Sequence, residues 1–147
     1  TFGRDAFAST PVEKEAEIIT AINSSPHSVM LIGKIGEEVV SIGSLQGFSR
    51  LRFSHRGDLG ISVRRKYWGL GFGKAMMSQL IEYGRDVLKL SVIELQVKSD
   101  NKAAISLYES FGFEHIGIYR RFFKIEDEYY DACLMNLYLR HQHCHRN

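Results

Sequence analysis

Ile61-Ser62-Val63-Arg64-Arg65-Lys66-Tyr67-Trp68-Gly69-Leu70-Gly71-Phe72-Gly73-Lys74-Ala75 reads as a short strand, a basic turn, a glycine-punctuated loop and the first turn of a helix. Behind it, Phe72, Met76, Leu80, Tyr83 and Val87 fall three or four apart, an apolar stripe that must bury against a sheet. Ser91 to Lys98 then alternates as a strand. Strand, helix and strand in succession argue for a parallel βαβ unit. The three glycines leave backbone N–H groups uncovered where the helix begins, and a helix N-terminus suits an anion such as a phosphate.

The segments on either side follow from patterning. Thr10-Pro11 reads as a cap and first turn of a helix through about Asn23, with Glu13, Lys14, Glu15 and Glu17 outward and Val12, Ala16, Ile19 and Ile22 inward. Val29 to Ile35 and Val39 to Phe48, joined by Gly36-Glu37-Glu38, read as a β-hairpin. A third strand is expected from about Leu51 to Val63, interrupted near Arg56-Gly57-Asp58. After the crossover, Asp100 or Asn101 can cap a helix from Lys102 to Phe111, with Ala104, Leu107, Tyr108 and Phe111 on its apolar face and Gly112 as its stop. Strands from Glu114 to Ile125 and Tyr129 to Leu139 meet at Glu126-Asp127-Glu128, and a solvated tail starts at Arg140.

At 147 residues and 44% hydrophobic content the chain supplies one core, so residues 1–147 read as a single domain. A net charge of +2 permits an acidic ligand but indicates neither a nucleic-acid nor a membrane surface. Cys133 and Cys144 form neither a metal spacing nor a disulfide framework, and no run reaches the roughly 20 apolar residues of a membrane span, so a cytoplasmic setting is expected. In the tail, His141, His143, Cys144 and His145 are too close together in a terminus to be read as a native metal site.

Two common nucleotide loops fit Gly69 to Gly73 poorly. The dinucleotide fingerprint places its glycines first, third and sixth, whereas these stand first, third and fifth. The Walker loop needs Ser or Thr after its lysine, and Lys74 is followed by Ala75. Trp68-Gly69-Leu70-Gly71-Phe72-Gly73 instead resembles the Gln/Arg-x-x-Gly-x-Gly/Ala loop of the GNAT superfamily of N-acetyltransferases, departing only at Trp68. Asn101-Lys102-Ala103-Ala104-Ile105-Ser106-Leu107-Tyr108-Glu109-Ser110-Phe111-Gly112-Phe113 is similar to a second signature of that family, in the usual order and spacing. The resemblance covers about Ser28 to Leu139.

It implies an α/β fold with a mixed, mostly antiparallel twisted sheet of six or seven strands, a parallel pair splayed at an acetyl-coenzyme A site, and helices on both faces. Relatives begin with a strand and one or two helices, so the first strand and part of the first helical region are expected to be absent. The implied reaction is direct attack of a primary amine on acetyl-coenzyme A in a ternary complex. Ile61, Ser62 and Val63 would pair with the cofactor arm; backbone from Trp68, Gly69, Leu70, Gly71, Phe72, Gly73 and Lys74 would cradle its pyrophosphate; Asn101 would lie near the arm. Tyr108 matches the family's general acid, a role open to a phenol of ordinary pKa about 10. One or two of Arg64, Arg65, Lys66 and Lys74 would meet cofactor phosphates.

For the amine's proton, Gln96 stands where some relatives carry glutamate, leaving Glu94, His55, Asp58 or water. Glu126-Asp127-Glu128 with Asp131 could attract a cationic acceptor. The acceptor itself stays open among polyamines, amino acids, aminoglycosides and protein amines. A coenzyme A-binding sensor without turnover is the alternative, no nucleic-acid or membrane partner is expected, and strand exchange or edge pairing would allow a homodimer.

Overall fold

The computed structural model describes residues 6–8, 18–49 and 51–140. Eight strands form one sheet: β1 (Ala6–Ala8), β2 (Ile18–Ser24), β3 (Ser28–Ile35), β4 (Glu38–Gly47), β5 (Arg56–Val63), β6 (Val92–Lys98), β7 (Glu114–Ile125) and β8 (Glu128–Tyr138), in the spatial order β1-β2-β3-β4-β5-β6-β8-β7. Every neighbouring pair is antiparallel except β5 and β6, which are joined by the crossover helix α1 (Phe72–Asp86). A second helix, α2 (Lys102–Ser110), lies between β6 and β7. The mixed, mostly antiparallel sheet and its one parallel pair are as expected.

Three boundaries differ from the sequence reading. The helix expected through Asn23 is overturned where it overlaps the described residues, because Ile18–Ser24 is a strand paired with both β1 and β3. Ile19 and Ala21 are buried while Ile22 is exposed, a period of two that the Ile19 and Ile22 spacing had disguised as helical. The remainder of that expected helix lies outside the described residues, as does the tail with its histidines. The third strand begins at Arg56 and runs unbroken to Val63; the break falls earlier, in a 3₁₀ turn over Leu51–Phe53. Val87 is the C-cap of α1 and exposed, so the buried stripe ends at Tyr83.

The core lies on one face of the sheet. Val29, Leu31, Leu45, Leu59, Ile93, Leu95 and Met135 alternate inward and meet Met76, Met77, Leu80 and Tyr83 of α1. Burying each large aliphatic side chain contributes roughly 1.5–3 kcal/mol before entropy is counted. Both α-helices cover this face, with Ala104 and Leu107 of α2 packed against the same cluster. The helical layer expected on the opposite face falls on no described residue.

Close approach of α1 to the sheet depends on Gly43. A Cβ there would lie 2.7 Å from Met76 Sδ and 2.8 Å from Leu80 Cδ1. Both neighbours are fully buried. Gly43→Ala is expected to destabilise the protein by about 1–3 kcal/mol, the usual cost of overpacking, read as a lower urea midpoint at unchanged slope.

Candidate functional site

The parallel pair opens soon after it forms. Register runs from Arg56 opposite Val92 to Asp58 opposite Glu94 and stops there, although both strands continue. Arg64 N–H donates to the Val40 carbonyl at 2.9 Å and Phe48 N–H to the Arg56 carbonyl at 3.3 Å. In an antiparallel ladder this assigns the even-numbered backbone groups of β5 to β4 and turns those of Leu59, Ile61 and Val63 toward β6. On β6 the bonds from Ser99 N–H to Asp131 and from Leu139 N–H to Ser91 assign odd-numbered residues to β8, so Gln96 and Lys98 turn their backbone toward β5. A gap results, with peptide groups of Ile61 and Val63 on one side and of Gln96 and Lys98 on the other. Ser62, between them, has its backbone directed at β4 and its side chain exposed.

The glycine loop closes one end of this gap. A 3₁₀ turn over Arg65–Tyr67 leads into Gly69 at φ +78° and Gly71 at φ +96°, left-handed values that favour glycine. Gly71 is the N-cap of α1 and offers no side-chain cap, and no acidic residue stands in the first turn. The first N–H groups of the helix therefore face outward without a partner from that cap. Gly73 serves packing as well, since a Cβ on it would lie 3.3 Å from Leu107 Cδ2 of α2. Phe72 is buried and meets the Tyr67 ring edge-on at 5.3 Å, which fixes the loop to the core.

The basic residues around the loop are used differently than expected. Arg64 Nη1 and Lys66 Nζ both pair with Glu38 at the start of β4, at 3.1 and 3.4 Å, and Tyr67 Oη donates to the same carboxylate at 2.7 Å. The Tyr67 hydrogen bond chiefly, with help from Lys66 and Arg64, holds the Glu38 carboxyl below its ordinary pKa, while that bond raises the Tyr67 phenol. Arg65 stacks on the Trp68 ring at 5.1 Å. Of the four residues among which one or two phosphate partners are expected, Lys74 is exposed and has no ion-pair partner among the described residues. Glu38 was missed in the sequence because it lies 26 residues from Arg64 and 29 from Tyr67.

Trp68 is 60% exposed, and its indole N–H donates to the Val63 carbonyl at 2.7 Å, one of the groups turned toward the gap. Tyr108, on α2, is buried beside Phe113 and belongs to the core cluster. Burial raises its phenol above the ordinary value, so the hydroxyl stays protonated across the neutral range. Asn101 caps α2 by accepting from Ala104 N–H at 3.1 Å. That capping role accounts for its side-chain oxygen without a ligand.

Among the candidates for handling the acceptor's proton, His55 precedes β5 at the end of the parallel pair remote from the loop, its carbonyl bonded to Ser91 and Val92. Glu94 is paired with Arg56, at 2.8 Å to Nη2 and 3.0 Å to Nε. Asp58 accepts from Gln96 Nε2 at 2.9 Å. Asp131, on β8 beyond the acidic turn, accepts from the Arg121 N–H at 2.9 Å and so supports a bulge in β7. No described helix is long and apolar enough to cross a membrane, and no group of three His, Cys, Asp or Glu among the described residues could hold a metal ion.

The sheet parts at its one parallel pair among the described residues, and a glycine-built helix start stands at the opening. The acetyltransferase (GNAT) family matches over residues 3–113, and the chain belongs to that family. It is 34% identical over 110 residues to the L-amino acid N-acetyltransferase AaaT of Escherichia coli (strain K12), covering 75% of this chain and 68% of that one. It is 28% identical over 102 residues to the N-alpha-acetyltransferase RimI of Mycobacterium tuberculosis (strain ATCC 25618 / H37Rv), covering 69% of this chain but only 62% of the relative. Among solved structures, an acetyltransferase of the GNAT family from Streptococcus pneumoniae superposes with a TM-score of 0.75 at 29% identity, covering 79% of this chain and 70% of that one.

Proposed function

We propose that this chain is an acetyl-coenzyme A-dependent N-acetyltransferase acting on a primary amine, of a small molecule or of a protein. The observation that carries the reading is the gap between β5 and β6, where register ends at Asp58 while the Ile61 N–H and C=O and the Val63 N–H face the gap, the Val63 C=O being taken by the Trp68 indole. An extended chain containing amides can pair with those groups as an added strand would. The outward N–H groups at the start of α1 suit a pyrophosphate at the end of such a chain. The residues present therefore fit coenzyme A, with Ile61 and Val63 holding the arm, Asn101 near the arm, and backbone from Trp68 to Lys74 holding the phosphates.

Bound there, acetyl-coenzyme A would supply a thioester open to attack by an unprotonated amine. A backbone N–H of Ile61 or Val63 would donate to the acyl oxygen, a fixed donor of the kind that contributes a few kcal/mol to acyl transfer. Tyr108 Oη would hold the proton that the departing sulfur needs. Core residues behind Tyr108 exclude water from the helix side, leaving the opposite face for the acceptor.

Two measurements test the proposal. Trp68 is the single tryptophan and borders the gap, so coenzyme A is expected to change its emission and give a dissociation constant without turnover. Thiol release from acetyl-coenzyme A across a panel of amino acids, polyamines, aminoglycosides and peptide N-termini is expected to single out an acceptor. Tight coenzyme A binding with no release on any amine would sink the enzyme reading and leave a coenzyme A sensor.

A further inference from the structure

We infer that Asp58 is the carboxylate that binds the acceptor amine as its ammonium, and that Gln96 is the residue that positions it. The inference rests on the acetyl-transfer reading above. Asp58 is the last β5 residue in register with β6, opposite Glu94, so its side chain stands where the two strands begin to part. It shares a face with Arg56, Glu94 and Gln96, the face opposite the two helices, where among the described residues Asp58 and Gln96 are half-buried while the buried core closes the other side.

Charge counting at this fork separates its two carboxylates. Glu94 is neutralised by Arg56, which donates from both Nε and Nη2 to one oxygen, Oε2. Arg56 is itself flanked by the Phe48 and Phe53 rings, 5.0 and 5.4 Å from its guanidinium carbon, so it is committed to that pair. Asp58 has a different partner, the neutral Gln96 amide, whose Nε2 reaches Oδ1 across the diverging strands at 2.9 Å. The residue opposite Asp58 on β4, Gln46, is also uncharged. One carboxylate at the head of the gap thus keeps its charge uncompensated by these neighbours, and it is held by an amide that cannot neutralise it.

An alkyl amine of pKa about 10.4 arrives mostly protonated at neutral pH. A fixed carboxylate at the entrance to the reacting site selects that form and holds it while the proton is lost to water. The acceptor class is therefore a strongly basic amine. A glutamine at position 96 serves this role better than a glutamate would, because a second carboxylate 2.9 Å from the first would repel it and raise its pKa.

The test uses the full chain and the best amine from the panel, with acceptor KM, kcat and coenzyme A affinity from Trp68 emission measured in parallel. The native protein's acceptor KM is expected to rise with ionic strength; Asp58→Asn is expected to raise that KM about 10- to 30-fold, leave coenzyme A affinity within 2-fold, and abolish the salt dependence. Asp58→Glu, which keeps the charge, should recover part of the KM, and Gln96→Leu should raise KM by about 3-fold. An unchanged KM in Asp58→Asn, a salt dependence that survives it, or a parallel loss of coenzyme A affinity overturns the assignment while acetyl transfer stands. Absence of turnover by the native protein, with coenzyme A still bound, overturns acetyl transfer and this assignment with it.

Discussion

Tyr108→Phe is expected to lower kcat by about 10²- to 10³-fold, within the range for removing a general acid. The phenol is buried on α2, no hydrogen-bond partner is found for it among the described residues, and burial raises its pKa. An ordinary thiol has a pKa near 8.5. A departing thiolate is thus basic enough at neutral pH to take a proton from a nearby donor, and a phenol held above its usual pKa of about 10 still carries one. Deleting the hydroxyl removes the donor while the ring keeps its contact with Phe113, whose centroid lies 5.9 Å away. Coenzyme A affinity from Trp68 emission should stay within about 2-fold and the urea midpoint should barely move. The direction of the shift also fixes the pH dependence. Because Tyr108 titrates above its ordinary value, the native rate should not fall on the alkaline side until beyond about pH 10. A kcat unchanged by the substitution would return Tyr108 to a packing role.

The local geometry of the candidate site was legible in the sequence because its determinants are local. The glycines that adopt left-handed backbone at positions 69 and 71 act within a few residues of their own positions, and so does the Asn101 cap. Long-range pairing was not legible. Arg64 and Lys66 look free in a basic run, yet both meet Glu38 because the β3–β4 hairpin delivers its turn beside the loop. Arg56 and Glu94 meet only once β5 and β6 lie side by side.

Strand β2 shows a different difficulty. Ile19 and Ile22 are three apart and Ile19 and Ala21 are two apart, so both periods fit the same few residues, and the sheet decides between them. Parity is the other property hidden from the sequence. Ile61, Ser62 and Val63 read alike as one strand, but the β4 register directs the backbone of Ser62 away from the gap and that of its two neighbours toward it. Of the three, only Ile61 and Val63 turn backbone groups into the gap.

Gly71→Val is expected to weaken coenzyme A binding by at least about 100-fold. Gly71 sits at φ +96° as the N-cap of α1, so a side chain there has two consequences. A left-handed conformation costs a non-glycine residue roughly 1–2 kcal/mol, and more for a β-branched one. A side chain at this N-cap would also add bulk at the start of α1, where the proposed pyrophosphate site lies. Strain and obstruction can be separated, because Gly112 has nearly the same φ, +95°, just after α2. A Cβ at Gly112 would meet Leu137 Cδ1 at 3.5 Å, an ordinary contact. Gly112→Ala and Gly71→Ala should therefore lose similar stability in urea, while only the substitution at Gly71 weakens coenzyme A, by about 10-fold. Equal weakening by both would mean that the loop binds nothing and that general loosening of the fold explains the loss. A native affinity in Gly71→Val would place the phosphates away from the start of α1.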